Sequence, residues 1–397
     1  MMQTGGGARI GAEDAADLLL VGVFAALPVA GLAAGPAYAA LIFGLGAIRL
    51  AFLLARDRTA FALDRRQVLA ALAFAALTFA GATWSIVPRH TLAGAAQAGV
   101  ILAGTLVFLG GAAALPARTA ERLATALPWA FLAGAALLAA DTASGYHLQH
   151  WLGSHPLPTK YNRGVLYSLI LFWPVLGGQL IRRRRRAAAG LTVAMALILG
   201  LGLSTTAQAA AVLAALTLGL ARLAPRLARR LLASGTAVLA LALPVLLRAL
   251  EGVRPQLAPY LKTSAVHRLE IWDYMSARVM ERPLLGWGLW SSEAVPIRPD
   301  ELARYRFADG IGIYPHNQWL QLWVETGLAG VLLALAASLL ALDRFRRLSP
   351  DMRPFAAAGF ITVMAVACSD FQVTTDSWWA AIAAAALLYR TLDRMPA

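Results

Sequence analysis

A histidine at the start of a long apolar segment is the strongest candidate for acid–base chemistry. His316 lies in the sequence Tyr-Pro-His-Asn-Gln-Trp-Leu-Gln, which spans residues 314–321. We predict a helix over about 316–342, with Pro315 in the first-turn position that prolines favour. The positive end of a helix dipole disfavours imidazolium, so a neutral His316 can accept the proton of a hydroxyl group. The alternative interpretation is an interfacial histidine that hydrogen-bonds to water.

A carboxylate follows in the same segment. Glu325 comes nine positions after His316, which in a straight helix places it on the opposite side and about 13 Å deeper. The two side chains therefore cannot pair directly. Because a carboxylate inside a membrane is costly and usually partnered, we predict that Glu325 ties Thr326 or a neighbouring helix.

Cationic residues stand at two places where membrane topology does not require them. Arg268 lies in a helix-like stretch from Val266 to Arg282, and Lys160 and Arg163 precede the sixth apolar segment. A guanidinium fork fits phosphate oxygens in two-point geometry. Together with the helix N-terminus, these sites predict recognition of a diphosphate. Contact with lipid headgroups and snorkelling to the interface are the alternatives.

Metal and nucleotide sites are not indicated. His147, His150 and His155 are close in sequence, but no carboxylate or cysteine completes a common ligand set. No glycine motif for nucleotide phosphates is present. We therefore expect no metal and no cofactor, and energy must come from the substrate or from a gradient.

The elements that position these residues are membrane helices. Hydrophobic residues make up 59% of 397 positions and charged residues 14%, whereas soluble domains carry about a quarter charged residues. The apolar blocks match the length of a spanning helix, so we predict an all-α integral membrane protein with about twelve transmembrane helices. Their predicted positions are 16–34, 37–55, 68–84, 92–114, 123–140, 164–181, 188–203, 206–221, 232–248, 316–342, 355–371 and 376–392.

Arginine clusters give the orientation. They lie in the even-numbered connections between the predicted helices, as at Arg182–Arg186. We therefore predict cytoplasmic termini and outward-facing odd-numbered connections. The net charge of +14 reflects this topology, and no nucleic-acid partner is expected. We divide the chain into residues 1–248 with nine helices, an outward loop domain with short helices at 249–315, and 316–397 with three helices.

The ordered motifs resemble the O-antigen ligase and polymerase superfamily. The resemblance covers about Arg268 to Gly330 and, more weakly, Asn162-Arg163-Gly164 at the start of the sixth helix. It rests on three strings: Arg268-xxx-Trp272, Pro283-Leu284-Leu285-Gly286-x-Gly288, and His316-Asn317-xx-Leu320 running on to Glu325-x-Gly327. Many relatives carry a Ser-Arg pair at the entry of the eighth helix, where this chain has Thr206-Ala207-Gln208.

The resemblance implies an inverting, metal-independent glycosyltransferase of the bacterial inner membrane. Such ligases act in lipopolysaccharide biosynthesis and transfer a glycan from undecaprenyl diphosphate to a sugar hydroxyl of lipid A–core at the periplasmic face. His316, Arg268 and Arg163 would then be catalytic, and Lys160 would help the two arginines bind the donor diphosphate. Supporting roles are implied for Asn317, Glu325 and Trp272.

Two other functions stay open. A polymerase of the same superfamily joins one lipid-linked repeat to another and shares these motifs. A transporter of lipid-linked glycans predicts paired charges along several helices or an inverted repeat of broken helices. The intramembrane charges are sparse, with Glu325 and Asp370 chief among them.

Overall fold

The computed structural model describes residues 12–33, 37–56, 61, 63–111, 115–151, 158–307 and 311–394. Over these ranges the protein consists of helices joined by turns and contains no strand, which confirms the all-α prediction. His155 lies outside the described residues. The α-helices are α1 (Ala12–Ala33), α2 (Ala37–Arg56), α3 (Arg65–Ala80), α4 (Pro88–Gly111), α5 (Ala117–Ala143), α6 (His147–Trp151), α7 (Asn162–Ile181), α8 (Arg185–Leu201), α9 (Thr205–Leu223), α10 (Pro225–Glu251), α11 (Arg254–Leu257), α12 (Thr263–Glu281), α13 (Pro299–Leu302), α14 (Gln318–Arg344), α15 (Arg353–Ala367) and α16 (Asp376–Asp393).

Each of the twelve predicted apolar segments corresponds to one of these helices. Nine helices in the described ranges are long and apolar enough to cross a membrane. Of the other three, α8 has 17 residues and α15 has 15, and α16 carries three charged side chains. The protein is therefore a multi-pass, all-α membrane protein.

Helix α12 differs from the membrane helices because only one of its faces is apolar. Val266, Ile271, Met275 and Val279 are buried, and their near-helical spacing forms one stripe. The helix confirms the helical stretch predicted at 266–282 and lies within the long connection between α10 and α14.

The chain forms two compact units. The first includes the described residues of Met1–Ala62, Val107–Ser204 and Ala383–Ala397, and the second includes Leu63–Leu106 and Thr205–Ile382. In the first unit, α1 packs against α5 and α7, and α5 packs against α8. A buried ion pair there joins Arg49 to Asp17.

The second unit holds the long connection between α10 and α14. Within it, α9 packs on α15, α10 packs against α12 and α14, and α14 packs against α3. A buried apolar cluster joins these helices and includes Ile271, Trp287, Ile311, Trp319 and Trp323. This cluster fixes α12 relative to α14, the two elements that carry the predicted site.

Candidate active site

His316 lies in the turn before α14. The helix begins at Gln318, and Asn317 caps it by accepting a hydrogen bond from the backbone N–H of Leu320 at 3.1 Å. The prediction that Pro315 opens the helix is therefore wrong, because the asparagine supplies the N-cap two residues later. The φ of His316 is 51°, a left-handed conformation that is uncommon outside glycine. Such backbone conformations concentrate at functional sites.

Two aromatic residues hold the histidine in this conformation. The indole N–H of Trp272 on α12 donates to the carbonyl of Pro315 at 2.6 Å. The rings of Tyr314 and His316 lie with centroids 4.0 Å apart and planes tilted by 43°. All three rings are half-buried. The arrangement assigns Trp272 the supporting contact that the sequence motif only implied, and adds Tyr314, which the sequence reasoning missed.

The surroundings of His316 favour its neutral form. Burial, followed by the positive charges of Arg268 and His267, lowers the pKa of the imidazole from 6.5 to about 4. The neutral state was predicted from the helix dipole, but burial is the larger cause. The Nδ1 atom of His316 is buried and has no hydrogen-bond partner among the described residues.

Arg268 lies close enough to His316 to act on its charge. The structure thus brings together two of the three predicted catalytic residues. No carboxylate of the described chain forms an ion pair with Arg268, whereas Arg248 and Arg254 nearby each pair with an acidic side chain of α12. An unpaired, half-buried guanidinium is suited to bind an anionic ligand.

Lys160 and Arg163 belong to the first unit and are exposed. Lys160 lies in a short 3-10 helix, Pro158–Tyr161, directly before α7. Gly164 next to Arg163 serves packing, because a Cβ there would lie 2.4 Å from the carbonyl oxygen of Gly31 on α1. Binding of a diphosphate by the two cations stays a prediction.

Glu325 is buried in α14 and is 2% exposed. Its Oε1 accepts hydrogen bonds from the hydroxyl of Ser292 at 2.6 Å and from the side-chain amide of Gln321 at 3.1 Å. Thr326 instead donates to the carbonyl of Leu322, so the predicted tie between Glu325 and Thr326 is wrong. The carboxylate therefore joins Ser292, in the connection between α10 and α14, to the first half of α14.

Helix α14 is broken at Gly327, whose φ and ψ are 63° and −163°. The loop at 283–288 compensates for the break. The backbone N–H groups of Trp287 and Gly288 donate to the carbonyls of Val324 and Glu325, at 2.8 and 2.9 Å. On the other side of the break, Leu328 and Ala329 donate to Pro283 and Leu284. The predicted loop is therefore a backbone partner of a membrane helix.

Two acidic residues of α12 hold the segment that leads toward His316. Glu270 is fully buried and accepts from Arg254 at 2.6 Å and from the backbone N–H groups of Arg306 and Phe307, at 3.1 and 3.0 Å. Asp273 accepts from the hydroxyl of Tyr305 at 2.7 Å. Sequence reasoning missed both, although their spacing of three residues places them on neighbouring positions of one helix face.

Metal ligands are not grouped in the part of the chain that the structure describes: no set of three or more His, Cys, Asp and Glu side chains is placed to hold an ion.

Comparison with known proteins gives one family and several relatives. Residues 190–335 match a family described as O-antigen ligase. A protein of Rickettsia conorii, provisionally named a polysaccharide ligase, is 30% identical over 125 residues. Proteins of the same provisional name are 28% identical over 165 residues in Rickettsia felis and 31% identical over 127 residues in Rickettsia bellii.

These matches confirm the resemblance to the O-antigen ligase superfamily. The family segment at 190–335 contains Arg268, Trp272, His316 and Glu325, so the second unit carries most of the motif. Lys160 and Arg163 precede it. The aligned stretches cover 30% of both this chain and the Rickettsia conorii protein, and 40% of both this chain and the Rickettsia felis protein.

Proposed function

We propose that this protein is an O-antigen ligase, an inverting and metal-independent glycosyltransferase. It would transfer a glycan from undecaprenyl diphosphate to a sugar hydroxyl of lipid A–core at the periplasmic face of the bacterial inner membrane, with both termini in the cytoplasm. The observation that carries the proposal is a half-buried His316 whose pKa is lowered by burial and by the charge of Arg268, an arginine that forms no ion pair with a described carboxylate. A base and an unpaired guanidinium in one region are suited to join a hydroxyl nucleophile to a phosphate-linked donor.

The proposed reaction is a direct displacement. The acceptor hydroxyl hydrogen-bonds to His316, and its oxygen attacks the anomeric carbon of the donor glycan. The new C–O bond forms as the bond to the diphosphate breaks, the hydroxyl proton passes to His316, and the anomeric configuration inverts. Arg268 stabilises the charge of the leaving diphosphate, and the roles of Arg163 and Lys160 in donor binding rest on the sequence motif alone. A diphosphate is a good leaving group, so charge stabilisation and positioning suffice.

The test is reconstitution with purified protein. Undecaprenyl-diphosphate-linked glycan is incubated in EDTA with and without lipid A–core, and the products are separated by mass. Glycan on lipid A–core establishes the ligase. Longer lipid-linked chains formed without lipid A–core would instead establish the related polymerase reaction, and no product from folded protein would contradict both.

A pair of variants assigns the base. We expect His316→Ala to lower turnover by about a hundredfold or more. His90→Ala is the matched control, because His90 is an exposed histidine in the first turn of α4, and it should retain turnover. Full activity of a folded His316→Ala protein would contradict a catalytic role for this residue.

A further inference from the structure

The segment 305–307 is fixed to α12 although it lies outside any helix. The hydroxyl of Tyr305 donates to Asp273, and the backbone N–H groups of Arg306 and Phe307 donate to Glu270. Glu270 is 0% exposed, and its ion pair with Arg254 holds the carboxylate in place. The side chains of residues 306 and 307 therefore project from a backbone that is anchored before any ligand arrives.

An aromatic ring in this segment lies close to one histidine and one arginine. The ring of Phe307 is 5.0 Å from that of His267, centroid to centroid, and the Arg306 guanidinium lies 5.4 Å from the same Phe307 ring. An arginine that rests on an aromatic face keeps the N–H edges of its fork available. His267 is also one of the groups whose charge acts on His316. Because His267 directly precedes Arg268 on α12, the three side chains belong to the same region as the proposed active site.

Several arginines of this region have carboxylate partners among the described residues. The arginines paired with carboxylates are Arg248, Arg254, Arg278 and Arg298. Arg268 and Arg306 form no ion pair within the described ranges, and Arg306 is exposed. Arg282 instead donates to the carbonyl of Trp84 and lies over the ring of Trp287, and Arg304, like Arg268 and Arg306, forms no ion pair within the described ranges. Arg306 differs from Arg304 because its guanidinium lies over an aromatic ring in the segment anchored to α12, which makes it a second place for an anion. In the proposed function the donor diphosphate takes Arg268, which leaves the second place unassigned.

We propose that Arg306, Phe307 and His267 form a second anion subsite, which binds a phosphate-bearing sugar of the glycan substrates handled at His316. The Arg306 fork binds two phosphate oxygens, and the Phe307 face receives the apolar face of the sugar ring. This proposal rests on the proposed function, since it names a substrate feature recognised beside the same site. The phosphate-bearing sugar belongs either to the acceptor core or to the donor glycan, and kinetics separates the two sources.

A binding measurement tests the subsite without turnover. Full-length protein in detergent is titrated with glucose 6-phosphate, with glucose and with inorganic phosphate. We expect the sugar phosphate to bind most tightly. Arg306→Gln should weaken its binding about tenfold or more, because charge-assisted hydrogen bonds are lost, and Arg306→Lys should restore part of it. Arg298→Gln is the matched control, since Arg298 is exposed but already paired with Glu281, and it should bind like the unaltered protein.

The kinetics of transfer show whether the bound phosphate belongs to the acceptor or to the donor. The transfer assay is run with phosphorylated and enzymatically dephosphorylated lipid A–core at a fixed donor concentration, and then with varied donor. We expect Arg306→Gln to raise KM about tenfold for the phosphorylated acceptor only, with kcat within about twofold. A rise confined to donor KM would support the subsite and assign its phosphate to the donor.

Two results would overturn the proposal: equal sugar-phosphate affinity in Arg306→Gln and the unaltered protein, or inorganic phosphate binding as tightly as the sugar phosphate. If no transfer occurs with any acceptor while the binding pattern holds, the proposed function fails and the subsite stands. If transfer occurs but Arg306→Gln binds the sugar phosphate like the unaltered protein, the proposed function stands and the subsite fails.

Discussion

A Cβ atom on Gly327 would lie 2.4 Å from the carbonyl carbon of Leu284, so the broken membrane helix and the loop at 283–288 touch backbone to backbone. Four hydrogen bonds cross this contact, two on each side of the break. They satisfy N–H and C=O groups that a helix break inside a membrane would otherwise leave unpaired, at a cost of several kcal/mol each. The half of α14 that follows His316 is therefore held by the loop as well as by its own helix.

Gly327→Ala should destabilise the protein by at least about 2 kcal/mol, because its φ of 63° and ψ of −163° suit only glycine and the new methyl group meets backbone. Gly286→Ala should act alike, since its Cβ would lie 2.6 Å from the backbone of Glu325. The measurement is thermal unfolding in detergent. Gly99→Ala in α4 is the control, with open space around the position, and should be neutral or stabilising. An unchanged melting temperature for Gly327→Ala would contradict the backbone contact.

The sequence predicted the helices well because each apolar block has the length of a membrane span. The order of the motifs also assigned Arg268 and His316 to one candidate site, and the charge of Arg268 acts on the pKa of His316. The sequence did not predict the contact of 283–288 with α14, because those hydrogen bonds join backbone groups some forty residues apart and leave no periodic pattern. The predicted start of α14 is wrong for a local reason: prolines favour the first turn of a helix, but the side chain of Asn317 caps this helix two residues after Pro315.

Trp272→Phe should lower kcat by about ten- to a hundredfold while donor KM changes little. The substitution removes the hydrogen bond from the indole to the carbonyl of Pro315, and a small displacement of a catalytic group is costly. Trp323→Phe is the matched control, because the Trp323 indole N–H likewise donates to a backbone carbonyl at 2.6 Å, that of Ala240. The control should lose stability and retain kcat per folded molecule. Equal losses of kcat in the two variants would argue against a positioning role for Trp272.

Glu325→Ala and Glu325→Gln should differ strongly. Alanine leaves the hydroxyl of Ser292 and the amide of Gln321 without their acceptor inside a buried site, at a cost of about 1–3 kcal/mol for each unsatisfied group. Glutamine retains the shape and one accepting oxygen, so most of the stability should survive. Thermal unfolding and folded yield of the two variants check this. If glutamine were as damaging as alanine, the hydrogen-bond account of Glu325 would be inadequate.

The pH dependence of transfer should report the environment of His316. A base works in its neutral form, which dominates above its pKa, and burial with the charges of Arg268 and His267 lowers that pKa from 6.5 to about 4. Turnover should therefore stay level as the pH falls from about 8 to about 5, and decline only as it approaches the lowered pKa. An enzyme whose base is a histidine of ordinary pKa would lose half its turnover near pH 6.5.

Arg268→Gln tests the electrostatic part of this argument. Removing the guanidinium lowers turnover through loss of diphosphate binding, but it also removes a repulsion that disfavours imidazolium. The acid limb, meaning the pH range in which turnover declines as the pH falls, should therefore move to higher pH, toward 6.5. Arg298→Gln serves again as control and should leave the limb in place. If turnover of the unaltered protein declines near pH 6.5, His316 is not buried during turnover. If the acid limb does not move in Arg268→Gln, burial alone sets the pKa of His316.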